Sequence, residues 1–193
     1  MATRELPADR PAAAAGRGLH WDALAAVIAS LIGLLALGVA GYTAYLQRQQ
    51  VRAEVWPYLL WASSDVAMQY MWINKGVGPA IVRNAQVLVG GTPQRNWKAV
   101  FRSLGLEGID YGQSTFNGNV LSAGETLQWL TFPAADDFRR FRAAAARAKL
   151  EIRACYCSTL GECWQVHTPD WTAADRAPLD SCPAVPDDAQ FDD

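Results

Sequence analysis

A long stretch without charged side chains limits most strongly what this chain can fold into. Residues 23–46 read ALAAVIASLIGLLALGVAGYTAYL and contain no acidic or basic residue. As an α-helix this stretch would be about 36 Å long, more than the roughly 30 Å hydrocarbon core of a bilayer. Trp21 precedes it, and Tyr42 and Tyr45 lie near its other end, as expected for rings that favour the headgroup level. The sequence therefore predicts one transmembrane helix over residues 21–47, with the lipid bilayer as a partner.

Two other interpretations of this stretch meet objections. A core helix of a soluble protein seldom stays apolar on every face over such a length. A cleaved signal peptide has a shorter apolar region of about 7 to 15 residues, although Gly38, Ala40 and Ala44 offer small side chains near a possible cut. Residues 1–20 are rich in Ala, Pro and Arg without apolar periodicity, so we expect a disordered cytoplasmic tail there.

The cysteines indicate on which side of the membrane the folded part lies. Three arginines precede the apolar stretch and two follow it closely, so the flanking charges lean only slightly toward a cytoplasmic N-terminus. All four cysteines follow the stretch, and an even number in one small domain suits an oxidising compartment with disulfides. We therefore expect a single-pass protein of the bacterial inner membrane, with its N-terminus in the cytoplasm and its C-terminal domain in the periplasm.

The stretch CYCSTLGECW predicts how the cysteines pair. Two runs with strand composition, KLEIRACYC and CWQVH, flank the turn STLGE, which places Cys157 opposite Cys163. Cys155 lies on the same face of its strand and is left to bond Cys182 from the tail. The swapped pairing of Cys155 with Cys163 stays open. A metal site also stays open, although the spacing lacks the paired CxxC of common zinc sites.

The stretch NKGVGPA, residues 74–80, is either a corner between two strands or a phosphate-binding loop. A phosphate loop would need GxxxxGK before a helix, or GxGxxG opening one, and the stretch has neither pattern. Asn74 can bond nearby backbone at a strand end, and Pro79 fixes its own φ. Gly76 and Gly78 permit backbone angles that other residues resist. We therefore interpret these four residues as a structural corner.

The rest of the chain has the pattern of short strands with two helices. Apolar residues at helical spacing follow Thr92, the expected cap, with Pro93 in the first turn. Two strands, STFNGNVL and TLQWLTF, are expected around the turn SAGE, and PAADDFRRFRAAAARAKL has the charge distribution of a helix. The sequence thus predicts a mainly β fold, in which the single N-terminal transmembrane helix is followed by a small antiparallel β-sandwich with two short helices over residues 48–167. An irregular, acidic and Pro-rich tail is expected over residues 168–193.

Small residues recur along one face of the predicted membrane helix. Ala25, Ala29 and Gly33 fall four residues apart. In lipid, close backbone approach over small side chains is a main source of attraction between helices. We expect this face to support self-association or the capture of a membrane or envelope protein partner. A plain tether stays open as well, because alanine is common in the chain.

The order of these features resembles a known kind of protein. The membrane anchor followed by WPYL, NKGVGPA and CYCSTLGECW is similar to a group of uncharacterised proteobacterial single-pass envelope membrane proteins with a small immunoglobulin-like periplasmic domain. The resemblance covers roughly residues 20–185. It implies a location and a domain type, and it implies no activity for any residue.

Three classes of function fit such a chain. We favour a membrane-anchored periplasmic domain that is a non-catalytic binding or structural envelope protein. An accessory subunit of an envelope signalling or assembly complex is the alternative. A hydrolase would have to use His167, Asp170 and Ser158, and nearness in sequence does not bring a nucleophile, a base and an orienting group into contact. We expect no catalytic residue, cofactor, metal ion or nucleic-acid partner.

Overall fold

The computed structural model describes residues 19–168 and 178–192 of the chain. The expected disordered tail therefore lies almost wholly outside the described residues, and so does the part of the acidic tail over residues 169–177. The chain divides into two compact units, Met1–Arg48 and Gln49–Asp193. All of the sheet structure belongs to the second unit.

A single long helix, α1, occupies Leu19–Glu54. Its apolar side chains are exposed all along residues 23–46, an arrangement that suits lipid and not water. It is the one helix in the described chain that is long and apolar enough to cross a membrane. The helix runs past the predicted end at residue 47, because the Gln, Arg, Ala and Glu residues that follow are good helix formers.

Among the described residues, the second unit contains ten strands and two further helices. In chain order these elements are β1 (Leu59–Ser64), β2 (Gln69–Asn74), β3 (Ala80–Val89), β4 (Thr92–Gln94), α2 (Trp97–Ser103), β5 (Gly112–Gln113), β6 (Val120–Leu121), β7 (Thr126–Thr131), α3 (Ala135–Arg147), β8 (Leu150–Cys157), β9 (Cys163–His167) and β10 (Pro178–Leu179). Every strand pairs antiparallel with its neighbours.

The strands form two antiparallel sheets. One sheet has four strands in the order β1-β2-β7-β5. The other has six, with neighbours in the order β10-β9-β8-β3-β4, while β6 pairs with the opposite end of β3 from β4. Two such sheets are consistent with the predicted sandwich. The described chain is mixed α/β rather than mainly β, however, because α1 alone contributes 36 residues and α3 another 13.

The segment SAGE joins the two sheets and is not a hairpin turn. The strand before it, β6, pairs with β3, whereas the strand after it, β7, pairs with β2 and β5. The N–H of Gly124 in this segment donates a hydrogen bond of 2.9 Å to the carbonyl of Asn74 at the end of β2. The two predicted strands are present on either side of SAGE, but they do not pair with each other, because each has its partners in a different sheet.

The helix α2 begins later than the sequence pattern predicted. Thr92 and Pro93 lie in β4, and the cap is Asn96, whose side chain accepts a hydrogen bond of 2.9 Å from the N–H of Ala99. Proline is tolerated in β4 because this strand lies at a sheet edge, where a missing donor is harmless. Thr and Asn both cap well, so the pattern alone did not separate the two positions.

The core between the sheets is rich in aromatic side chains. The buried aromatic residues are Tyr70, Trp72, Trp97, Phe101, Phe116, Trp129, Phe132, Phe138, Phe141, Tyr156 and Phe191. Burying one such side chain contributes about 1.5–3 kcal/mol. Phe138 and Phe141 lie on one face of α3, and both contact the ring of Tyr70 on β2. These contacts hold α3 against the first sheet.

The described end of the chain crosses β3 as a strap, residues 178–192. Asn84 and Gln86 on β3 donate side-chain hydrogen bonds of 2.8 and 3.4 Å to carbonyls of the strap. The N–H of Phe191 donates to the carbonyl of Ala85 at 3.0 Å, and the ring of Phe191 is only 1% exposed. The described part of the expected irregular tail therefore follows a fixed path and includes one short strand, β10.

Candidate functional site

The side chain of Asn74 is the centre of the corner. Asn74 is fully buried, and its side-chain carbonyl accepts hydrogen bonds from the N–H groups of Tyr58 (3.1 Å) and Gly76 (3.0 Å). Its amino group donates at 2.8–3.1 Å to three backbone carbonyls, those of Gly78, Leu121 and Ser122. One side chain therefore ties the end of β2 to the segment before β1 and to the end of β6.

Gly76 and Gly78 are required for close packing rather than for unusual backbone angles. Neither residue has φ in the left-handed region. A Cβ on Gly76 would lie 2.4 Å from the carbonyl oxygen of Trp56, and one on Gly78 would lie 2.1 Å from that of Val55. The expectation that these glycines supply special backbone angles is therefore wrong. They are needed because residues 55–58 pass directly against the corner.

The N–H groups of the corner are used within the protein. Those of Val77 and Gly78 both donate to the carbonyl of Trp56, at 3.0 and 3.2 Å. Pro79 has no N–H to offer. A phosphate needs several free donors, and these three residues do not supply them. The geometry supports a structural role for the corner.

The four cysteines lie where the hairpin of β8 and β9 meets the strap. Cys157 and Cys163 are directly opposite each other and form a disulfide with a Cα–Cα distance of 4.0 Å. Cys155 forms the second disulfide with Cys182 of the strap, at 5.7 Å. This is the pairing that the hairpin spacing favoured. With both disulfides formed, none of the four sulphur atoms is a thiolate that could hold a metal ion.

The residues considered for a hydrolase are not brought together in the described structure. The Nδ1 atom of His167, at the end of β9, lies 3.3 Å from a carboxylate oxygen of Glu151. Ser158 lies at the opposite end of the hairpin, where its hydroxyl accepts hydrogen bonds of 3.2 and 3.3 Å from two backbone N–H groups of the turn. Asp170 lies outside the described residues. Ser158 therefore stabilises a turn.

The small residues of the predicted membrane helix lie on α1. Ala25, Ala29 and Gly33 are all exposed. Apart from its chain neighbours and the backbone of its own helix, no atom of the described chain lies within 4 Å of a Cβ built on Gly33. Their role in self-association or partner capture stays a prediction.

A cavity of about 660 Å³ lies between the two sheets and α3. Its wall comes from β1, β2 and β7 on one side, from β8 on the other, and from α3. We call it the inter-sheet cavity and define it by Trp61, Tyr70, Trp129, Phe141, Lys149 and Glu151. Volumes of about 300–1,000 Å³ are typical of sites for small organic molecules. This cavity is therefore the main candidate for a ligand site in the described chain.

Aromatic rings in contact form much of the cavity wall. Trp61 and Tyr70 are stacked, with ring centroids 5.8 Å apart and an angle of 26° between the planes. Tyr70 also contacts Trp129 at 5.5 Å and the ring of Phe141 edge-on at 5.6 Å. Aromatic surfaces of this kind bind apolar groups through buried area and favour flat rings through stacking.

The indole N–H of Trp129 is an unused donor in this wall. Trp129 is only 2% exposed, and its Nε1 has no hydrogen-bond partner among the described residues. A buried donor without a partner costs about 1–3 kcal/mol, and this nitrogen has almost no accessible surface toward the cavity. The indole N–H of Trp97, stacked on Trp129 at 4.9 Å, is also unpaired within the described chain, but Trp97 does not line the cavity.

The rim of the cavity carries charged groups of both signs. The guanidinium of Arg142 forms an ion pair with Asp65. The carboxylate of Glu151 accepts hydrogen bonds of 2.6 and 3.1 Å from Arg153 and contacts His167. The hydrogen bonds from Arg153, opposed by burial, hold the pKa of Glu151 below its ordinary value. Glu151 is therefore ionised at neutral pH and already paired.

Lys149 gives the rim an excess of positive charge. It lines the cavity and forms no ion pair with another described residue. The pairs Arg142–Asp65 and Arg153–Glu151 each have no net charge, so one ammonium remains. Lys149 also has φ +52°, a left-handed conformation in which glycine is usual after a helix.

The hydroxyl of Tyr70 stays protonated in the cavity wall. Burial raises the pKa of Tyr70 to about 12, with smaller opposing effects from Arg142, which lowers it, and Asp65, which raises it. The phenol is therefore neutral at physiological pH. It can act as a hydrogen-bond donor and cannot act as a base.

The sequence analysis did not find the inter-sheet cavity. Its residues come from five elements far apart in the chain, and each looks like an ordinary core or surface position within its own element. Lys149 offered one local signal, since a lysine stands where a helix ends and a strand begins at once. That signal alone does not reveal a cavity.

The resemblance to single-pass envelope proteins stays a prediction, because nothing among known proteins bears on it. Comparison with protein-family models, with curated proteins and with solved structures finds no match.

Proposed function

We propose that this chain is a membrane-anchored envelope protein whose folded domain binds a small ligand without converting it. The observation that carries the proposal is the inter-sheet cavity, which is lined in part by the aromatic side chains Trp61, Tyr70, Trp129 and Phe141. Mostly apolar walls with a few placed polar groups are the usual form of a small-molecule site.

The polar groups of the cavity support binding rather than catalysis. Glu151 is held as a carboxylate by Arg153, and Tyr70 remains a neutral phenol. The hydroxyl of Thr168 accepts a hydrogen bond of 2.9 Å from the N–H of Ile152. General acid–base catalysis needs a group whose pKa lies near the working pH, and neither Glu151 nor Tyr70 meets that need.

The disulfides and the apolar helix support a periplasmic position for the domain. Disulfides persist in oxidising compartments, and a single-pass arrangement with a cytoplasmic N-terminus places Cys155, Cys157, Cys163 and Cys182 in the bacterial periplasm. The helix α1 supplies a candidate anchor of sufficient length. The inner membrane is the membrane that an uncleaved helical anchor of this kind would occupy.

A pair of reporter fusions tests this orientation. We expect alkaline phosphatase, which needs an oxidising compartment to fold, to be active when fused after Asp193. A fluorescent protein that folds only in the cytoplasm is expected to stay dark at the same position. The reverse result would contradict the periplasmic assignment, and activity of the phosphatase in a soluble fraction would indicate cleavage of the anchor.

A neutral ring compound tests whether the cavity binds ligands. We expect 1-naphthalenemethanol to bind the full chain in phosphatidylcholine nanodiscs, because its ring can pack on the aromatic wall. Ala145→Phe fills part of the cavity and is expected to weaken binding about tenfold or more, which corresponds to about 1.4 kcal/mol. Equilibrium dialysis measures the affinity, with empty nanodiscs as the blank.

The matched control is Ala143→Phe, which makes the same change on the same helix. Ala143 is exposed and does not line the cavity. This variant is expected to bind the probe as the unchanged protein does. Absence of binding above the blank, or equal loss in both variants, would refute the proposed function.

A further inference from the structure

The geometry points to an organic monoanion with a flat, largely apolar ring system, such as an aromatic carboxylate, as the ligand of the inter-sheet cavity. The identity of this ligand rests on the proposed function, since it concerns the same cavity. Three properties define it, namely the size of the cavity, the rings of its wall and the charge of its rim.

The size and the wall select a small molecule with a ring. A volume of about 660 Å³ fits a single organic molecule and is too small for a folded partner. Trp61 and Tyr70 are stacked, and Tyr70 contacts Trp129 at 5.5 Å, so ring surfaces form part of the apolar wall beside the aliphatic side chains of α3 and β8. A flat ring gains stacking on such surfaces that an alkyl chain does not.

The rim selects a single negative charge. Arg142 is paired with Asp65, and Glu151 is paired with Arg153, so neither pair has charge to spare. Lys149 adds one ammonium without an ion-pair partner in the described part of the chain. Complementarity of charge discriminates between ligands, because an anion is attracted to this rim and a cation is repelled. One unpaired ammonium matches one carboxylate.

The position of Lys149 supports a role toward a ligand. Lys149 lies between the end of α3 and the start of β8. Ala146 before it and Leu150 after it also line the cavity. Its φ of +52° is unfavourable for a residue with a Cβ, and glycine would adopt this conformation more easily. A lysine that only complements the dipole of α3 would stabilise the helix without affecting a ligand, and the two roles can be separated by experiment.

The test compares two probes of the same ring, 1-naphthoate and neutral 1-naphthalenemethanol. We expect the full chain in phosphatidylcholine nanodiscs to bind the naphthoate about tenfold more tightly, because an ammonium–carboxylate contact is charge-assisted. In Lys149→Asn this preference is expected to disappear while the neutral probe binds as before. Asparagine is chosen because it tolerates the left-handed conformation better than most residues.

The matched control is Arg147→Gln, which removes one positive charge from the same end of α3 at an exposed residue that does not line the cavity. It is expected to keep the tenfold preference. No preference in the unchanged protein, or equal loss in both variants, would overturn the assignment of the anion to Lys149 while the proposed function stands.

A third probe tests the ring. Octanoate has the same charge without a ring, and we expect it to bind at least about tenfold more weakly than 1-naphthoate. Equal affinity would overturn the preference for a ring and identify an aliphatic acid instead. If none of the three probes binds, the proposed function itself fails.

Discussion

Replacing Asn74 by Asp is expected to remove about 3–5 kcal/mol of the free energy of unfolding of the domain, a large part of a typical total of about 5–15 kcal/mol. The retained oxygen can still accept from the N–H groups of Tyr58 and Gly76. The new oxygen would face three carbonyl oxygens in place of an amino group, with no exposure to water. A buried carboxylate with one oxygen that meets only acceptors is strongly destabilising.

The loss in Asn74→Asp should also depend on pH. Burial and the three carbonyls disfavour the charged form, so the introduced carboxyl has a raised pKa in the folded state relative to about 3.9 in the unfolded state. Between these two pKa values the unfolded chain releases the proton and the folded chain keeps it. The destabilisation therefore grows by up to about 1.4 kcal/mol per pH unit as pH rises above about 4, and it is smallest below that pH.

Urea unfolding followed by tryptophan fluorescence measures this difference on the full chain in detergent micelles. Asn119→Asp is the control, since Asn119 is half-buried and its side chain bonds only to neighbouring backbone. Its effect is expected to stay below about 1 kcal/mol and to show little dependence on pH. Similar losses in the two variants would mean that the network at Asn74 does not hold the corner.

Local patterns in the sequence were sufficient to predict those elements whose structure is determined by residues close together in the chain. The stretch of residues 23–46 within α1 contains no charged residue. Such a composition over this length is typical of a membrane-spanning helix. The hairpin of β8 and β9 is fixed by its short turn, which places Cys157 directly opposite Cys163. The helix α3 has Asp136 and Asp137 in its first turn and Arg147 in its last turn, as its dipole favours.

Features that depend on contacts between distant parts of the chain could not be predicted from local sequence patterns. The glycines of the corner were recognised, but the reason for them lies in the segment Val55 to Tyr58, which passes within 2.1 Å of a Cβ at Gly78. The strands around SAGE were recognised, but their partners belong to two different sheets. The inter-sheet cavity combines both sheets with α3, so no single stretch contains it.

Removing the ring of Phe191 is expected to cost about 3–5 kcal/mol in the free energy of unfolding. Phe191 is 1% exposed and meets the ring of Trp97 edge-on, with centroids 5.0 Å apart. The amide of Asn117 donates to the carbonyl of Phe191 at 3.0 Å, so the backbone there is held as well. Phe191→Ala would leave a void at this contact, because the surrounding rings belong to elements that are fixed by their own sheets and helices.

In Phe191→Ala we expect the loss of structure to be confined to the part of the strap that follows Cys182. The disulfide from Cys182 to Cys155 keeps the first part of the strap in place in Phe191→Ala, so the segment after Cys182 is expected to become accessible to protease while β10 stays paired. Val185→Ala is the control within the same segment, since Val185 is only half-buried, and it is expected to cost less than about 1 kcal/mol. Urea unfolding and limited proteolysis of the full chain measure the two effects.

A conservative variant separates the loss of packing from the loss of a particular ring. Phe191→Leu keeps an apolar side chain of similar reach and is expected to recover all but about 1.5 kcal/mol of stability. Trp97 meets Phe191 edge-on and is stacked on Trp129. The alanine variant should therefore also weaken binding of a neutral ring probe in the cavity, and the leucine variant should restore much of it. If Phe191→Ala costs no more than Val185→Ala, the end of the strap is only a covering segment and does not belong to the core.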